Sequence, residues 1–210
     1  MSKIIALTFD DGPNNYTTPQ ILDLLEEYGG KASFFLIGKN ITEETIDVIK
    51  REVYLGCDVE NHSFTHSYMT KLSKEETVKE IEETDALIKE ITGKEPLFFR
   101  PPYIDYDESL FESIPKVFIS GFGSNDWDEN VSIDERVGIV KEQACDGAII
   151  LLHDQPDNVR TVEALKYILP DLREEGYEFV TISDLFYKKG KDPESEEMKK
   201  EHKIYEKVEG

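Results

Sequence analysis

The sequence predicts an α/β fold, a distorted and incomplete (β/α) barrel of about seven parallel strands. Three observations carry that prediction. Short β-prone runs alternate with stretches of helical period from residue 3 to residue 187. The runs Ala6-Leu7-Thr8-Phe9 and Ala148-Ile149-Ile150-Leu151-Leu152 are apolar in succession rather than alternately, as strands buried on both faces are. Polar or titratable residues stand just past one run after another, which in a parallel barrel brings them to one face. Because 210 residues are few for a regular eightfold barrel, the barrel is expected to be incomplete.

The first strand spans residues 3–10. Thr18 and Pro19 read as the cap and first turn of a helix whose apolar face is Ile21, Leu22, Leu24 and Leu25, closed by Gly29-Gly30. Ala32 to Ile37 is the second strand, 42–54 a helix ended by Gly56, and Cys57 to Glu60 a short third strand. Ser73-Lys74-Glu75-Glu76 is a capping box that opens a helix to about residue 91, closed by Gly93. Leu97-Phe98-Phe99 and Lys116-Val117-Phe118-Ile119 are strands four and five. A helix over 132–144 leads to strand six at 148–152. Val162, Leu165, Leu169 and Leu172 mark an amphipathic helix over 158–174. Glu178 to Thr181 is strand seven, and Ser183 caps a last turn through Phe186. The domain is therefore set at 1–187, followed by a charged, solvated C-terminal tail at 188–210.

Lys and Arg number 24 against 45 Asp and Glu, a formal charge of −21. Such a surface repels polynucleotides and anionic membranes, so nucleic acid is excluded as a partner and the substrate is expected to be neutral. No apolar run reaches the roughly 18–20 residues of a membrane span. With no leader before the first strand, the chain as written is expected to be cytoplasmic; a catalytic piece of a secreted protein would be extracellular or cell-wall bound. Cys57 and Cys145 match no metal or redox spacing and read as small apolar residues.

The chemistry starts at Asp10-Asp11-Gly12-Pro13, where a buried strand ends on two adjacent carboxylates. Like charges side by side are costly when desolvated, so the pair asks for a cation, although an Asx turn explains the same residues more simply. His62 and His66 stand four apart, which on a helical turn sets both rings on one side about 6 Å apart. Two imidazoles and a carboxylate make a three-ligand site suited to Zn²⁺ or a similar ion. One Asp then binds the metal and the other accepts a proton. His153 emerges from strand six and suits a general acid, or else a satisfied core residue. Arg100, if buried, needs Asp10 or Asp126 as partner. The prolines of Arg100-Pro101-Pro102-Tyr103 hold the backbone extended, so that the Tyr103 amide can donate to an oxyanion.

At these residues the chain resembles the polysaccharide deacetylase family, the NodB-homology or family 4 carbohydrate esterases, over about residues 3–187. Five motifs occur in family order: Thr8-Phe9-Asp10-Asp11, His62-Ser63-Phe64-Thr65-His66, Arg100-Pro101-Pro102-Tyr103, Asp126-Trp127 and Leu151-Leu152-His153. The resemblance implies Asp10 as general base, held by Arg100, with Asp11, His62 and His66 as metal ligands. It implies the Tyr103 amide as oxyanion donor, His153 as general acid with Asp126 in the catalytic set, and Trp127, Leu151 and Pro102 on the substrate side. The implied cofactor is a divalent metal: zinc first, with cobalt or nickel as alternatives. The implied partner is an acetylated oligo- or polysaccharide, first the N-acetylglucosamine units of peptidoglycan or chitooligosaccharides. Acetylxylan esterase and a catalytically silent glycan-binding module are the alternatives. The chain departs from the family pattern in three places. Gly123 stands where an Asp often precedes motif four, leaving Asp126 or Asp154 to tune His153; Ile104 stands where Gly commonly follows Tyr103; and Cys57 replaces a frequent His.

Overall fold

The computed structural model describes residues 3–210. Its first half comprises β1 (Lys3–Asp10), α1 (Thr17–Glu27), β2 (Ala32–Leu36), α2 (Ile46–Tyr54), β3 (Asp58–Asn61) and α3 (Lys74–Thr92). Then follow β4 (Phe98–Phe99), α4 (Glu108–Ser113), β5 (Val117–Ile119), β6 (Phe122–Gly123) and α5 (Ile133–Gln143). The chain ends with β7 (Ile149–His153), α6 (Val159–Glu174), β8 (Tyr177–Phe179), α7 (Ile182–Lys188) and β9 (Ile204–Tyr205). The strands run β6-β7-β1-β2-β3-β4-β5-β9, with β8 against the first half of β1. Every ladder between these strands is parallel. The incomplete barrel predicted from sequence is thus present, with nine strands among the described residues rather than seven.

Alternation along β1 sorts its side chains into two cores. Ile4 and Ala6 meet Phe35, Phe98, Val117, Ile119 and Ile149 inside the barrel. Ile5, Leu7 and Phe9 join the layer packed under α1 and α6. Both faces of the strand are buried, which is why its sequence shows no polar alternation. In α6 the buried stripe Val162, Leu165, Ile168, Leu169 and Leu172 covers the sheet, each side chain contributing about 1.5–3 kcal/mol.

One predicted cap, Ser73, holds and two move, and Ser132 adds a cap that was not predicted. Ser73 and Ser132 each form the full capping box, with Glu76 and Glu135. Thr18, by contrast, lies inside α1, and the side chain of Asn14 accepts the Tyr16 and Thr17 amides instead. Thr181, not Ser183, caps α7: its hydroxyl accepts the Asp184 amide at 3.1 Å. Residues 188–210 are not the solvated tail expected. Met198, Tyr205 and Val208 are buried in the inner core. Tyr205 O accepts the amides of Ser120 and Gly121, the Ile149 amide donates to Glu206 O, and the Val208 amide donates to Gly147 O. These residues bridge the seam between β5 and β7. Cys57 and Cys145 are free thiols, as expected.

Candidate active site

Asp10 and His153 end neighbouring strands, paired in register, and His62 and Arg100 follow β3 and β4 directly. Strand geometry alone would send Asp10 and Asp11 to opposite faces. Asp11 instead takes a left-handed backbone (φ 78°), held by Asn40 Nδ2 donating to its carbonyl at 2.8 Å, and turns its carboxylate to the same mouth. His62 and His66 converge without the helical turn their spacing suggested. The segment between them is an irregular loop with Ser63 and His66 in the left-handed region (φ 65° and 61°). Asn61 Oδ1 accepts the Ser63 amide, and Glu80 of α3 accepts the Phe64 and Thr65 amides. The two rings end 5.0 Å apart.

His62 Nε2 and His66 Nε2 lie 3.5 and 3.3 Å from Asp11 Oδ1, and the three donor atoms fall within 4.8 Å of one another. Asp11 Oδ1 is buried with no hydrogen-bond partner, while Gln155 Nε2 donates to Oδ2 at 2.6 Å. An orphaned carboxylate oxygen facing two imidazole nitrogens fits a divalent cation. His62 Nδ1 donates to Arg100 O at 2.7 Å, since a carbonyl can only accept, and this leaves Nε2 as a lone-pair donor. Burial pushes the His62 pKa down to about 3, outweighing the pull of Asp11, so the ring is neutral.

Beside this cluster, Asp10 Oδ2 lies 3.7 Å from His62 Nε2, and Arg100 Nη1 donates to Asp10 Oδ1 at 2.5 Å. Burial raises the Asp10 pKa, and the guanidinium offsets only part of that rise. Arg100 lies wholly buried behind Asp10, over the Phe35 ring at 4.2 Å. Opposite, His153 Nδ1 meets Asp126 Oδ1 at 2.7 Å. Asp126 Oδ2 accepts from the His153 amide at 2.8 Å and from Thr161 Oγ1 at 2.7 Å. Arg136 of α5 donates to Asn158, just before α6, at 2.7 Å and to Thr161 of α6 at 3.0 Å. Burial opposes charge on His153, but the bond and charge of Asp126 win, and the pKa rises to about 9. Asp126, despite its burial, is held below the usual carboxylate range by the same contacts. It therefore fills the place left by Gly123.

A cleft of about 520 Å³ joins the two walls. Asp10, Asp11, His62, His66, Tyr103, Trp127, Leu151 and His153 line it, together with Pro101, Ile104, Asn125 and Gln155. Three predicted residues lie off the cleft. Pro102 is buried and Pro101 takes the lining place; Arg100 and Asp126 lie behind Asp10 and His153 and contact those residues instead. Trp127 is 62 % exposed at the rim. Tyr103 and Ile104 are successive left-handed residues (φ 58° and 51°), which costs roughly 1–2 kcal/mol each for side chains with a Cβ.

The model of the polysaccharide deacetylase family matches residues 1–117. The chain belongs to that family. It is 46 % identical over 194 residues to a bifunctional xylanase/deacetylase of Pseudobutyrivibrio xylanivorans, covering 92 % of this chain and 32 % of the relative. The chain thus spans about a third of that relative's length. Among solved structures of the polysaccharide deacetylase fold, a family 4 acetyl xylan esterase from Clostridium thermocellum in complex with a cobalt ion superposes with TM-score 0.91 and 40 % identity, covering 98 % of this chain and 99 % of the other. The peptidoglycan deacetylase PdaC from Bacillus subtilis gives TM-score 0.81 and 37 % identity over 88 % and 90 %. Asp11, His62 and His66 are, among the described residues, a group whose donor atoms could hold a divalent metal ion. Sequence reasoning missed Gln155, Asn158, Thr161 and Arg136. Each stands among other polar residues that nothing local sets it apart from, and only Gln155, two places after His153, carried any positional hint.

Proposed function

We propose that this chain is a divalent-metal-dependent hydrolase, with zinc as its native ion, that removes acetyl groups from a glycan. The observation that carries the reading is the pairing, across one cleft, of a three-ligand site with an Arg-held carboxylate and an Asp-held histidine. Asp11, His62 and His66 hold the ion, which supplies Lewis acidity toward water and an acyl oxygen. Asp10, borne by Arg100, accepts the proton of the attacking water. The Tyr103 amide donates to the developing oxyanion. His153, charged at neutral pH, protonates the leaving nitrogen or oxygen. Leu151 and Trp127 hold the acetyl methyl, and the acidic surface suits a neutral polymer.

N-acetylglucosamine units of peptidoglycan or chitooligosaccharide are the first substrate class, supported by the likeness to PdaC. Acetylxylan is the second, and one observation favours it: the acetyl xylan esterase matches 98 % of this chain, whereas PdaC matches 88 %. A silent glycan-binding module would lack a ligand, the base or the acid, and all stand here. Acetate release from p-nitrophenyl acetate, acetylxylan and chitopentaose, each with and without chelator and with Zn²⁺ or Co²⁺ added back, tests the reading. Turnover is expected on at least one polymer, to vanish on chelation and to return with metal. Asp10→Asn is expected to keep the metal and lose turnover. Full rate in that variant would remove Asp10 as base, and no acetate from any substrate would remove the reading.

A further inference from the structure

The strained turn at Tyr103–Ile104 does not hold itself. Its internal bonds, Ile104 N to Pro101 O and Asp105 N to Pro102 O at 3.0 Å each, close the turn without fixing its tilt relative to the metal site. This chain also carries a β-branched residue at φ 51°, a conformation that such a side chain opposes. Two external contacts oppose that tendency, and both come from one short segment after the metal ligand His66. The Tyr68 ring stacks on the Tyr103 ring with centroids 4.0 Å apart and planes at 12°. Thr70 donates to Asp105 through its amide, 2.8 Å to Oδ2, and through its hydroxyl, 3.0 Å to Oδ1. The segment is itself anchored, because Met69 is buried among Ile81, Phe99, Leu110 and Phe118. Tyr68 is half-exposed and is not part of the cleft lining.

We infer that residues 68–70 are a positioning strut for the oxyanion turn: Tyr68 and Thr70 hold Tyr103 and Asp105 so that the Tyr103 amide keeps its aim into the cleft. The inference rests on the deacetylation reading. Tyr103 also meets the His66 ring, centroids 4.6 Å apart, so the strut joins the metal loop to the oxyanion turn. Its action is on the transition state, where the amide bond to oxygen is strongest, and not on the ground-state complex. Neither Tyr68 nor Thr70 touches the reacting atoms.

The test is steady-state kinetics of acetate release by the metal-loaded protein, with Zn²⁺ affinity by calorimetry, on wild type, Tyr68→Leu, Tyr68→Phe and Asp105→Ala. Tyr68→Leu and Asp105→Ala are expected to lower kcat about tenfold, with KM and metal affinity changed by less than about twofold. Tyr68→Phe, which keeps the stacked ring, is expected to recover the rate. The kcat loss should be the same on p-nitrophenyl acetate and on the polymer, since the oxyanion forms in both. An unchanged kcat in Tyr68→Leu overturns the inference. So does a rise in KM confined to the polymer, which makes the ring a sugar platform, and so does a rate loss that tracks metal affinity, which makes Tyr68 a support of His66. Wild type releasing no acetate from any substrate would overturn the deacetylation reading, and the strut with it.

Discussion

His62 and His153 face one another's walls of a single cleft, and their surroundings drive them in opposite directions. His62 is buried between a carbonyl and another imidazole and is pushed down to about 3; His153 is paired with a buried carboxylate and raised to about 9. The difference lies in the partner of Nδ1. A neutral carbonyl, Arg100 O, fixes the tautomer of His62 without paying for a charge, so its free nitrogen keeps a lone pair suited to a metal ion. An anion, Asp126, makes the charged form of His153 the stable one, so its free nitrogen carries a proton at neutral pH. One residue type is thus left neutral with a free lone pair on one side and charged on the other, which is what the proposed roles of metal ligand and acid require.

Breaking each wall should give distinct failures. The largest effect is expected for His62→Ala, which removes one of three ligands: calorimetric Zn²⁺ affinity should fall by at least about a hundredfold and turnover should vanish. His153→Ala should leave metal affinity intact and lower kcat by roughly 10²–10⁴, more on an N-acetyl than on an activated aryl ester substrate, because the amine leaves only when protonated. Equal losses on both substrates would remove His153 as the leaving-group acid. A smaller effect belongs to Gln155→Ala, which frees Asp11 to rotate; Zn²⁺ affinity should weaken about tenfold. Unchanged affinity would reduce Gln155 to a lining residue.

The smallest effect sharpens the comparison through pH. His153 has a folded pKa of about 9 against an ordinary 6.5, so its charge stabilises the fold fully below 6.5. That contribution is lost as pH rises through 9. The Tm difference between metal-free wild type and His153→Gln should therefore shrink between pH 6.5 and 9. A difference constant across that window would mean that Asp126 does not hold the proton on His153.

Much of this arrangement is legible in the sequence, for reasons that differ by residue. β1 and β7 announce themselves because both faces are buried, and Asp10, Asp11, His62, His66 and His153 because titratable groups at strand ends have little structural use. The histidine pair was placed together on a helical argument, yet a loop with two left-handed residues brings it together. The strands β6 and β9 have two residues each and carry no periodicity to read. Residues past 188 hide their buried Met198, Tyr205 and Val208 among lysines and glutamates, so composition pointed to solvent while packing decided otherwise. The ladder from Arg136 through Asn158 and Thr161 to Asp126 joins residues far apart along the chain, and no local pattern could announce it.

The closing of the seam by residues 204–208 sets both ends of the described residues on one side of the barrel. Val208 hydrogen-bonds to Gly147, which in turn hydrogen-bonds to Ile4, so both ends of the described residues lie beside the first residues of β1 and β7. Asp10 and His153 close those same strands at their far ends. A tag fused beside the first or the last described residue would therefore emerge from the floor of the molecule, opposite the cleft.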